Sequence, residues 1–420
     1  MTFQTTLILV LGWAAFNTLN AALPETGKTH PALRPFDQLM RRFVVENEIP
    51  GAALAVAKDG RLLYARGFGW ANRENKKPVQ PHSLFRVASI SKPITAVAIL
   101  RLVDQGKLKL DEPAFARLPH KPLVRKDQKP DPRMEKITIR HLLQHRGGWD
   151  RAQSMDAMFR PVRIARALGK APPADANDVI RFMRGWPLDF DPGARYAYSN
   201  LGYNILGRVI EQATDRSYED YVKAEILKPI GVTAMRIGRT LAAGRAKDEV
   251  HYYARGDRTS LSVMAENFGQ RVPRPYGAWH FEAMDSHGAW IASIIDLVRF
   301  GSALEHYKES KILKPASITA MTEPPPGAAG HDANGKPKPV YYGLGWSVRP
   351  VGKKSNRWHT GSLDGTAALL VLRHDGLCWA VLFNTRATPK NSHAGRQIDP
   401  LVHQAADQVK SWPRHDLFPR

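Results

Sequence analysis

Cysteine is nearly absent from this 420-residue sequence, in which Cys378 is the only one. A single cysteine excludes an intramolecular disulfide framework, a cysteine-rich zinc site and an iron–sulfur centre. Because no cysteine lies near the start, the sequence also lacks the lipobox of a lipid-anchored secreted protein. After residue 22 no apolar run approaches the length of a membrane-spanning helix, so we expect no transmembrane anchor.

The first 22 residues lack charged side chains, and Leu7 to Phe16 form one apolar run. This run is too short to span a bilayer, and the small residues Ala21 and Ala22 follow it where a leader peptidase could cut. The pattern predicts a signal peptide over residues 1–22 and an exported protein, either periplasmic or secreted. No Lys or Arg precedes the apolar run, which leaves a buried or frayed N-terminal helix as the alternative.

Acidic residues are scarce: 39 Asp and Glu stand against 61 Lys and Arg, and the formal net charge is +22. A basic surface binds phosphate without regard to base sequence. The basic residues are scattered, however, and the sequence has no zinc-finger spacing, RNP-like motif or basic heptad region. We therefore expect no nucleic-acid partner; the charge suits an anionic envelope or a polymeric substrate.

Two hairpin signals lie near opposite ends of the chain, at Asp59-Gly60 and at Asp375-Gly376, each between apolar runs. They predict one antiparallel sheet built from both ends, while helical patterns dominate the middle. We predict an α+β fold, with an antiparallel sheet flanked by helices and an inserted, mainly helical lobe. Residues 31–112 and 290–405 would form the mixed lobe and residues 113–289 the helical lobe. The cleft between the lobes is where we expect the ligand site.

The first chemical signal is Ser89-Ile90-Ser91-Lys92, at the start of a predicted apolar helix. One helical turn brings Ser89 and Lys92 to the same face. A serine hydroxyl becomes a good nucleophile only when a neighbour takes its proton, and a lysine can do this when its pKa is lowered. The helix N-terminus also favours a developing oxyanion. Alone, the spacing is weak evidence, because a capping serine and a solvated lysine give the same pattern.

A second signal is the pair Tyr198 and Asn200, two residues apart just before a helical pattern. On an extended segment both side chains point to one side. Tyr198 could then relay a proton, and Asn200 could bind Lys92 or a substrate carbonyl. The alternative is an N-capping Asn among core tyrosines.

A third signal is His359-Thr360-Gly361-Ser362, which leads into the C-terminal hairpin. A glycine on a strand lets a ligand approach the backbone closely. His359 and Thr360 would offer hydrogen bonds beside it. The alternative is a histidine on an edge strand in a tight turn.

These three segments, in this order, resemble the serine β-lactamase and penicillin-binding protein superfamily, and within it the class C branch that includes DD-carboxypeptidases, D-aminopeptidases and esterases. The likeness extends from about Leu33 to Asn384. It implies a metal-free serine hydrolase without a cofactor, which cleaves an ester, amide or lactam carbonyl through an acyl-enzyme. A small molecule or a peptidoglycan-like peptide or ester would be the substrate.

The resemblance also implies roles for single residues. Ser89 would be the acylated nucleophile and Lys92 its proton partner. Tyr198 would be the general base or acid, and Asn200 would orient Lys92 and the substrate. The backbone N–H groups of Ser89 and Ser362 would form the oxyanion hole.

The far wall of the site would be His359-Thr360-Gly361, and here the sequence departs from class C β-lactamases, which usually carry Lys in place of His359. Lysine is a fixed cation that holds a substrate carboxylate, whereas histidine is largely neutral near pH 7. The change argues against potent antibiotic hydrolysis, though not against acylation by a β-lactam. Arg357 or another basic residue could supply the missing charge.

Two other functions fit the sequence less well. His141 and His145 lie at i and i+4, but no Glu follows the first and no third ligand presents itself, so we expect core or surface histidines and no metal site. The second is a non-catalytic member of the same fold that binds penicillin or peptidoglycan. Such a protein should have lost at least one motif, and all three are intact.

Overall fold

The structure, a computed structural model, describes residues 23–124, 129–305 and 310–418. The signal peptide predicted over residues 1–22 lies outside the described residues, so it stays a prediction, as does export. Within the described ranges, every helix is too short or too polar to cross a membrane.

The described chain contains fourteen strands, most of them short. They are β1 Glu25–Thr26, β2 Gly51–Lys58, β3 Arg61–Asn72, β4 Lys77–Pro78, β5 Phe85–Arg86, β6 Arg236–Ile237, β7 Thr259–Leu261, β8 Arg271–Pro273, β9 Trp290–Ala292, β10 Tyr341–Tyr342, β11 Ser347–Val351, β12 Lys354–Leu363, β13 Thr366–Leu372 and β14 Leu377–Phe383.

The α-helices of the described ranges lie mostly between these strands. They are α1 Arg34–Glu46, α2 Ser91–Asp104, α3 Ile139–Leu143, α4 Pro161–Ala167, α5 Ala176–Arg184, α6 Asn200–Thr214, α7 Tyr218–Val222, α8 Asp285–Gly288, α9 Ile294–Ser302, α10 Pro315–Ala320 and α11 Ala394–Asp407.

The main sheet has nine antiparallel strands in the order β1-β3-β2-β14-β13-β12-β11-β10, with β4 paired to β3. Strand β2, from the start of the chain, pairs with β14, from its end. At the first hairpin Asp59 and Gly60 have φ angles of 48° and 76°, and a two-residue type I′ turn requires both to be positive. The predicted α+β fold, with one sheet built from both chain ends, is confirmed.

Strand β14 explains how the sheet is covered on both faces. Trp379, Val381 and Phe383 point into an apolar cluster with α1 and α11. The alternate residues Cys378 and Ala380 point into the larger cluster that includes α2 and α9. Successive side chains of a strand face opposite ways, so a continuous apolar run fills both layers.

Helix α2 joins the parts that the sequence analysis assigned to separate lobes. It lies within residues 31–112 of the predicted mixed lobe but packs against α6 and α8, from the predicted helical lobe. Eleven of its residues are buried, in keeping with an apolar pattern on every side. The limits of the two lobes therefore stay a prediction, while the start of α2 lies where the two parts meet.

Candidate active site

Ser89 lies in a 3₁₀ turn, Ala88–Ile90, immediately before α2. Ala88 has a φ of 47°, a left-handed backbone that costs a non-glycine residue roughly 1–3 kcal/mol. Two hydrogen bonds hold the turn: Val87 N donates to Trp290 O at 3.0 Å, and Ser91 Oγ donates to Ala88 O at 2.7 Å. Ala88 and Ile90 are buried while Ser89 is partly exposed, so the turn presents the Ser89 hydroxyl to the cleft.

Lys92 lies one turn further along and is completely buried. Its Nζ is 3.2 Å from Ser89 Oγ, 2.8 Å from Asn200 Oδ1 and 2.9 Å from the backbone oxygen of His287. Burial lowers the pKa of Lys92 well below its usual value; the positive charge of Arg151 adds to this effect, and the negative charge of Asp156 opposes it. Lys92 is therefore suited to accept a proton near neutral pH.

The contacts of Lys92 also determine where its lone pair points. A carbonyl oxygen can only accept a hydrogen bond, and both Asn200 Oδ1 and His287 O are of this kind. A neutral amine has two N–H donors, which these two oxygens occupy. The lone pair of Lys92 is then left for Ser89 Oγ, the geometry that proton transfer from the nucleophile requires.

Tyr198 approaches the nucleophile from the other side: its hydroxyl donates to Ser89 Oγ at 2.7 Å. Burial raises the pKa of Tyr198, so the phenol keeps its proton at neutral pH. Lys92 Nζ and the Arg151 guanidinium lie 4.7 and 4.9 Å from the centre of its ring. The ring of His145 packs against it at 4.3 Å between centroids.

Asn200 is the first residue of α6, and Ser199, not Asn200, caps this helix through its side chain. The capping alternative is therefore wrong. Asn200 Nδ2 donates to Asp156 Oδ2 at 2.7 Å, which leaves its oxygen facing Lys92. Burial raises the pKa of Asp156, and the hydrogen bond from Asn200 opposes that rise. Asp156 thus positions the amide without touching the nucleophile.

His359 lies on β12, which pairs with β11 and β13, so it is on an interior strand and the edge-strand alternative is wrong. Its Nδ1 donates to the backbone oxygen of Thr360 at 2.8 Å, and its Nε2 lies 2.9 Å from the hydroxyl of Tyr342. Burial and the charge of Lys92 lower the pKa of His359 to about 3. His359 is consequently neutral at physiological pH and supplies no fixed cation.

A glycine is required at position 361 for a different reason from the one that the sequence suggested. A Cβ at this position would lie 2.1 Å from the backbone oxygen of Val87, so the glycine lets the strand approach the nucleophile turn, not a ligand. Arg357 does not supply the positive charge that a lysine in place of His359 would bring. It is buried away from the cleft, beside the Leu304 backbone oxygen.

The predicted site residues converge on a cleft of about 530 Å³. Six of them line it, and Lys92 and Gly361 lie just behind its surface; the lining six are Ser89, Tyr198, Asn200, His359, Thr360 and Ser362. Sequence reasoning missed Arg151, Asp156, His287 and Tyr342. No catalytic pattern in the sequence marks Arg151, Asp156 or Tyr342, and His287 contacts Lys92 only through its backbone oxygen.

In the described ranges there is no group of three or more His, Cys, Asp or Glu side chains that could hold a metal ion. His141 instead caps α3 together with Thr138. His145 packs among tyrosine rings, and burial lowers its pKa well below the usual value. Both histidines have structural positions.

The fold and the serine–lysine–tyrosine cluster place this protein among the serine hydrolases. The profile of the Beta-lactamase family matches residues 36–403, and the chain belongs to that family.

Among curated proteins, Esterase EstB of Burkholderia gladioli is 35% identical over 201 residues, 47% of this chain and 48% of the esterase, so the match spans about half of that relative. Protein flp of Staphylococcus aureus (strain N315) is 24% identical over 378 residues, 89% of this chain and 68% of flp.

Two solved structures share the fold. The D-amino acid amidase from Ochrobactrum anthropi SV3, complexed with L-phenylalanine amide, has a TM-score of 0.68 at 21% identity, over 91% of this chain and 99% of the amidase. The octameric penicillin-binding protein homologue from Pyrococcus abyssi has a TM-score of 0.65 at 24% identity, over 91% of this chain and 79% of its own.

Proposed function

We propose that the protein hydrolyses a carboxylic ester or amide through an acyl-enzyme on Ser89. The observation that carries the proposal is the position of Ser89 Oγ, 2.7 Å from the Tyr198 hydroxyl and 3.2 Å from Lys92 Nζ. A base on one side and a phenol on the other are the two groups that a serine needs to attack a carbonyl and to release the leaving group.

In the acylation step Ser89 Oγ attacks the carbonyl carbon while its proton moves to the neutral amine of Lys92. The carbonyl oxygen becomes an oxyanion, which the backbone N–H groups of Ser89 and Ser362 are proposed to stabilise. The bond to the leaving group then breaks. The leaving group takes the phenolic proton of Tyr198, which is restored by the ammonium of Lys92.

In the deacylation step water attacks the acyl carbon and gives one proton to the Tyr198 and Lys92 pair. The bond between the carbonyl carbon and Ser89 Oγ breaks, and Lys92 returns a proton to Oγ. The acid product leaves, and the enzyme regains its starting protonation. The proton that water supplies replaces the one that the leaving group took, so the cycle balances.

An ester or amide is favoured over a β-lactam because His359 is neutral. A β-lactam antibiotic carries a carboxylate beside its reactive ring, and a lysine in place of His359 would hold it; the arginines that line the cleft belong to other segments of the chain. The names of the relatives, an esterase and a D-amino acid amidase, agree with this choice. We also propose export to the periplasm or the medium, on the apolar leader over residues 1–22.

The proposal is tested by covalent labelling. A fluorophosphonate probe should add to the wild-type protein and not to Ser89→Ala, with the adduct located by peptide mass spectrometry. Ser355→Ala, at the far end of the strand that carries His359, is the matched control and should label as wild type does. Labelling that persists in folded Ser89→Ala, or no labelling of the folded wild type, would contradict the proposal.

Turnover then separates the substrate classes. A p-nitrophenyl ester and a D-amino acid p-nitroanilide should be hydrolysed with a higher kcat/KM than a chromogenic cephalosporin. The same Ser89→Ala variant should lose all three activities. A cephalosporin hydrolysed faster than both other substrates would show that a neutral His359 does not disfavour β-lactams.

A further inference from the structure

A second cavity of about 180 Å³ adjoins the catalytic cleft. We call it the distal arginine pocket and define it by five of its lining residues, Arg255, Arg258, Asp364, Arg386 and Ser392. Asp364, Arg386 and Ser392 line the cleft as well, so the two cavities share a wall. A substrate whose carbonyl lies at Ser89 can therefore extend along this wall into the pocket.

The side chains that line the two cavities carry far more positive than negative charge. In the described part of the chain the cavities are lined by six arginines and by a single carboxylate, that of Asp364. This carboxylate is already paired, because both Arg274 and Arg386 donate to it. The pocket therefore has guanidinium groups in excess over any protein carboxylate that could neutralise them.

Two of these arginines, Arg255 and Arg258, have at most one weak carboxylate partner among the described residues. Among the described residues no ion pair within 4 Å involves Arg258. Arg255 has one weak pair, 3.9 Å from Glu48, with both side chains about half exposed or more. Such an exposed pair contributes little, so Arg255 is free to turn to a ligand.

The excess is not a general property of surface cavities in this basic protein. A small cavity lined by Arg151 and Asp156 has one charge of each sign, and these two residues form an ion pair at 3.7 Å. A third surface cavity is lined by one lysine, Lys338, and one carboxylate, Asp332. Among these four cavities, only the two that share the wall at Asp364 are lined by more arginines than carboxylates.

The N-terminus of α11 adds to the positive potential of this wall. The 14-residue helix begins at Ala394, and its first turn carries no acidic residue. Ser392, just before its capping residue His393, lines both cavities. The positive end of the helix dipole thus lies beside the guanidinium groups and favours the same sign of ligand charge.

We propose that the distal arginine pocket binds an anionic group, a carboxylate or a phosphate, at the far end of an elongated substrate. This inference rests on the proposed function, since the carbonyl of the same substrate is attacked by Ser89. Guanidinium groups bind carboxylate and phosphate oxygens through two parallel hydrogen bonds, which Arg255, Arg258 and Arg386 are placed to supply. The preferred substrates are acyl compounds with a negative end.

The test compares matched substrates. One series consists of p-nitrophenyl esters of straight-chain diacids with a free distal carboxylate, against the same esters with a methyl-capped carboxylate. A second series carries the charge on the leaving group, and phosphonate-ended esters form a third. We expect wild-type kcat/KM to favour the anionic member of at least one series by about tenfold, the equivalent of one charge-assisted hydrogen bond, and this preference to shrink with added salt.

The double variant Arg255→Gln/Arg258→Gln should reduce that preference to about twofold, whereas Arg166→Gln, an exposed arginine at the end of α4, should leave it unchanged. A stronger loss for phosphonates than for carboxylates would assign the site to phosphate. An equal preference in wild type and double variant, or no preference in any series, overturns the inference. Because Ser89 labelling and neutral-ester turnover are measured in the same proteins, that result is distinguishable from failure of the proposed function.

Discussion

Two cations, Arg86 and Lys92, lie six residues apart with no exposed surface, but their surroundings differ. Arg86 donates to the backbone oxygens of Pro275 and Arg239 at 2.6 and 2.7 Å, and Glu249 lies 3.9 Å away. Its guanidinium also lies 4.3 and 4.5 Å from the ring centres of Phe281 and Tyr252. Within the described ranges no ion pair within 4 Å involves Lys92.

The difference shows how burial can serve two purposes. A guanidinium does not lose its proton in proteins, so Arg86 must be surrounded by acceptors, and it ties β5 to the segment that carries Pro275. An amine can lose its proton, and burial without a directly paired carboxylate makes the charged form of Lys92 unfavourable. The first cation stabilises the fold around the nucleophile turn; the second is available for proton transfer.

The largest effect on activity should come from replacing Lys92 with a residue whose positive charge is permanent. Lys92→Arg should lower kcat/KM for a neutral ester on the order of 10³-fold, because a guanidinium cannot act as a base. Steady-state kinetics measure the loss, and Lys92→Met separates charge from size. Activity within tenfold of wild type in both variants would show that Lys92 is not the base.

Removing the guanidinium of Arg86 should instead lower the stability of the fold. Arg86→Met should lower the free energy of unfolding by about 3–5 kcal/mol, since it leaves the Glu249 carboxylate buried without a counter-charge and two backbone oxygens without their donor. Chemical denaturation measures this. Arg166→Met, at an exposed position, is the control and should change stability by less than about 0.5 kcal/mol. A similar loss in both variants would contradict a special role for Arg86.

Substitution of Asp156, whose carboxylate holds the Asn200 amide that contacts Lys92, should have a smaller effect on activity. Asp156→Ala should lower kcat/KM about tenfold, because the Asn200 amide is no longer held. Asp156→Asn keeps an acceptor and should restore most of the activity. It also removes the negative charge that raises the pKa of Lys92, so the acid limb of its pH profile should move to lower pH. An unmoved limb would contradict the electrostatic link.

The smallest effect should come from Arg151, whose side chain is 52% exposed. Its positive charge lowers the pKa of Lys92, so Arg151→Gln should move the same acid limb to higher pH, opposite to Asp156→Asn. At a pH on that limb, kcat/KM should fall about two- to threefold, as for a solvent-screened charge. Both variants moving the limb in one direction would be inconsistent with Lys92 as the titrating group.

Much of the fold follows from local patterns. The type I′ turn at Asp59-Gly60 needs only two residues that tolerate positive φ. Ser89 and Lys92 are brought together by one helical turn. Such features depend on neighbours in sequence, and so the sequence predicts them.

Other parts of the site could not be predicted because they join distant segments. Asp156 and Asn200 meet across 44 residues, and Lys92 and His287 across 195. Gly361 was predicted to admit a ligand, but it admits the Val87 backbone instead. The periodicity of the sequence does not predict such contacts, because they form only when the helices and strands pack together.

The amino-acid sequence by itself determined which reactive groups the protein has, their order along the chain and the two hairpins that bring its ends into one sheet. Only the tertiary structure decided which of those groups can react. The proton affinity of Lys92, the neutrality of His359 and the unbalanced charge beside the cleft depend on which atoms replace water around each group, and packing alone sets that.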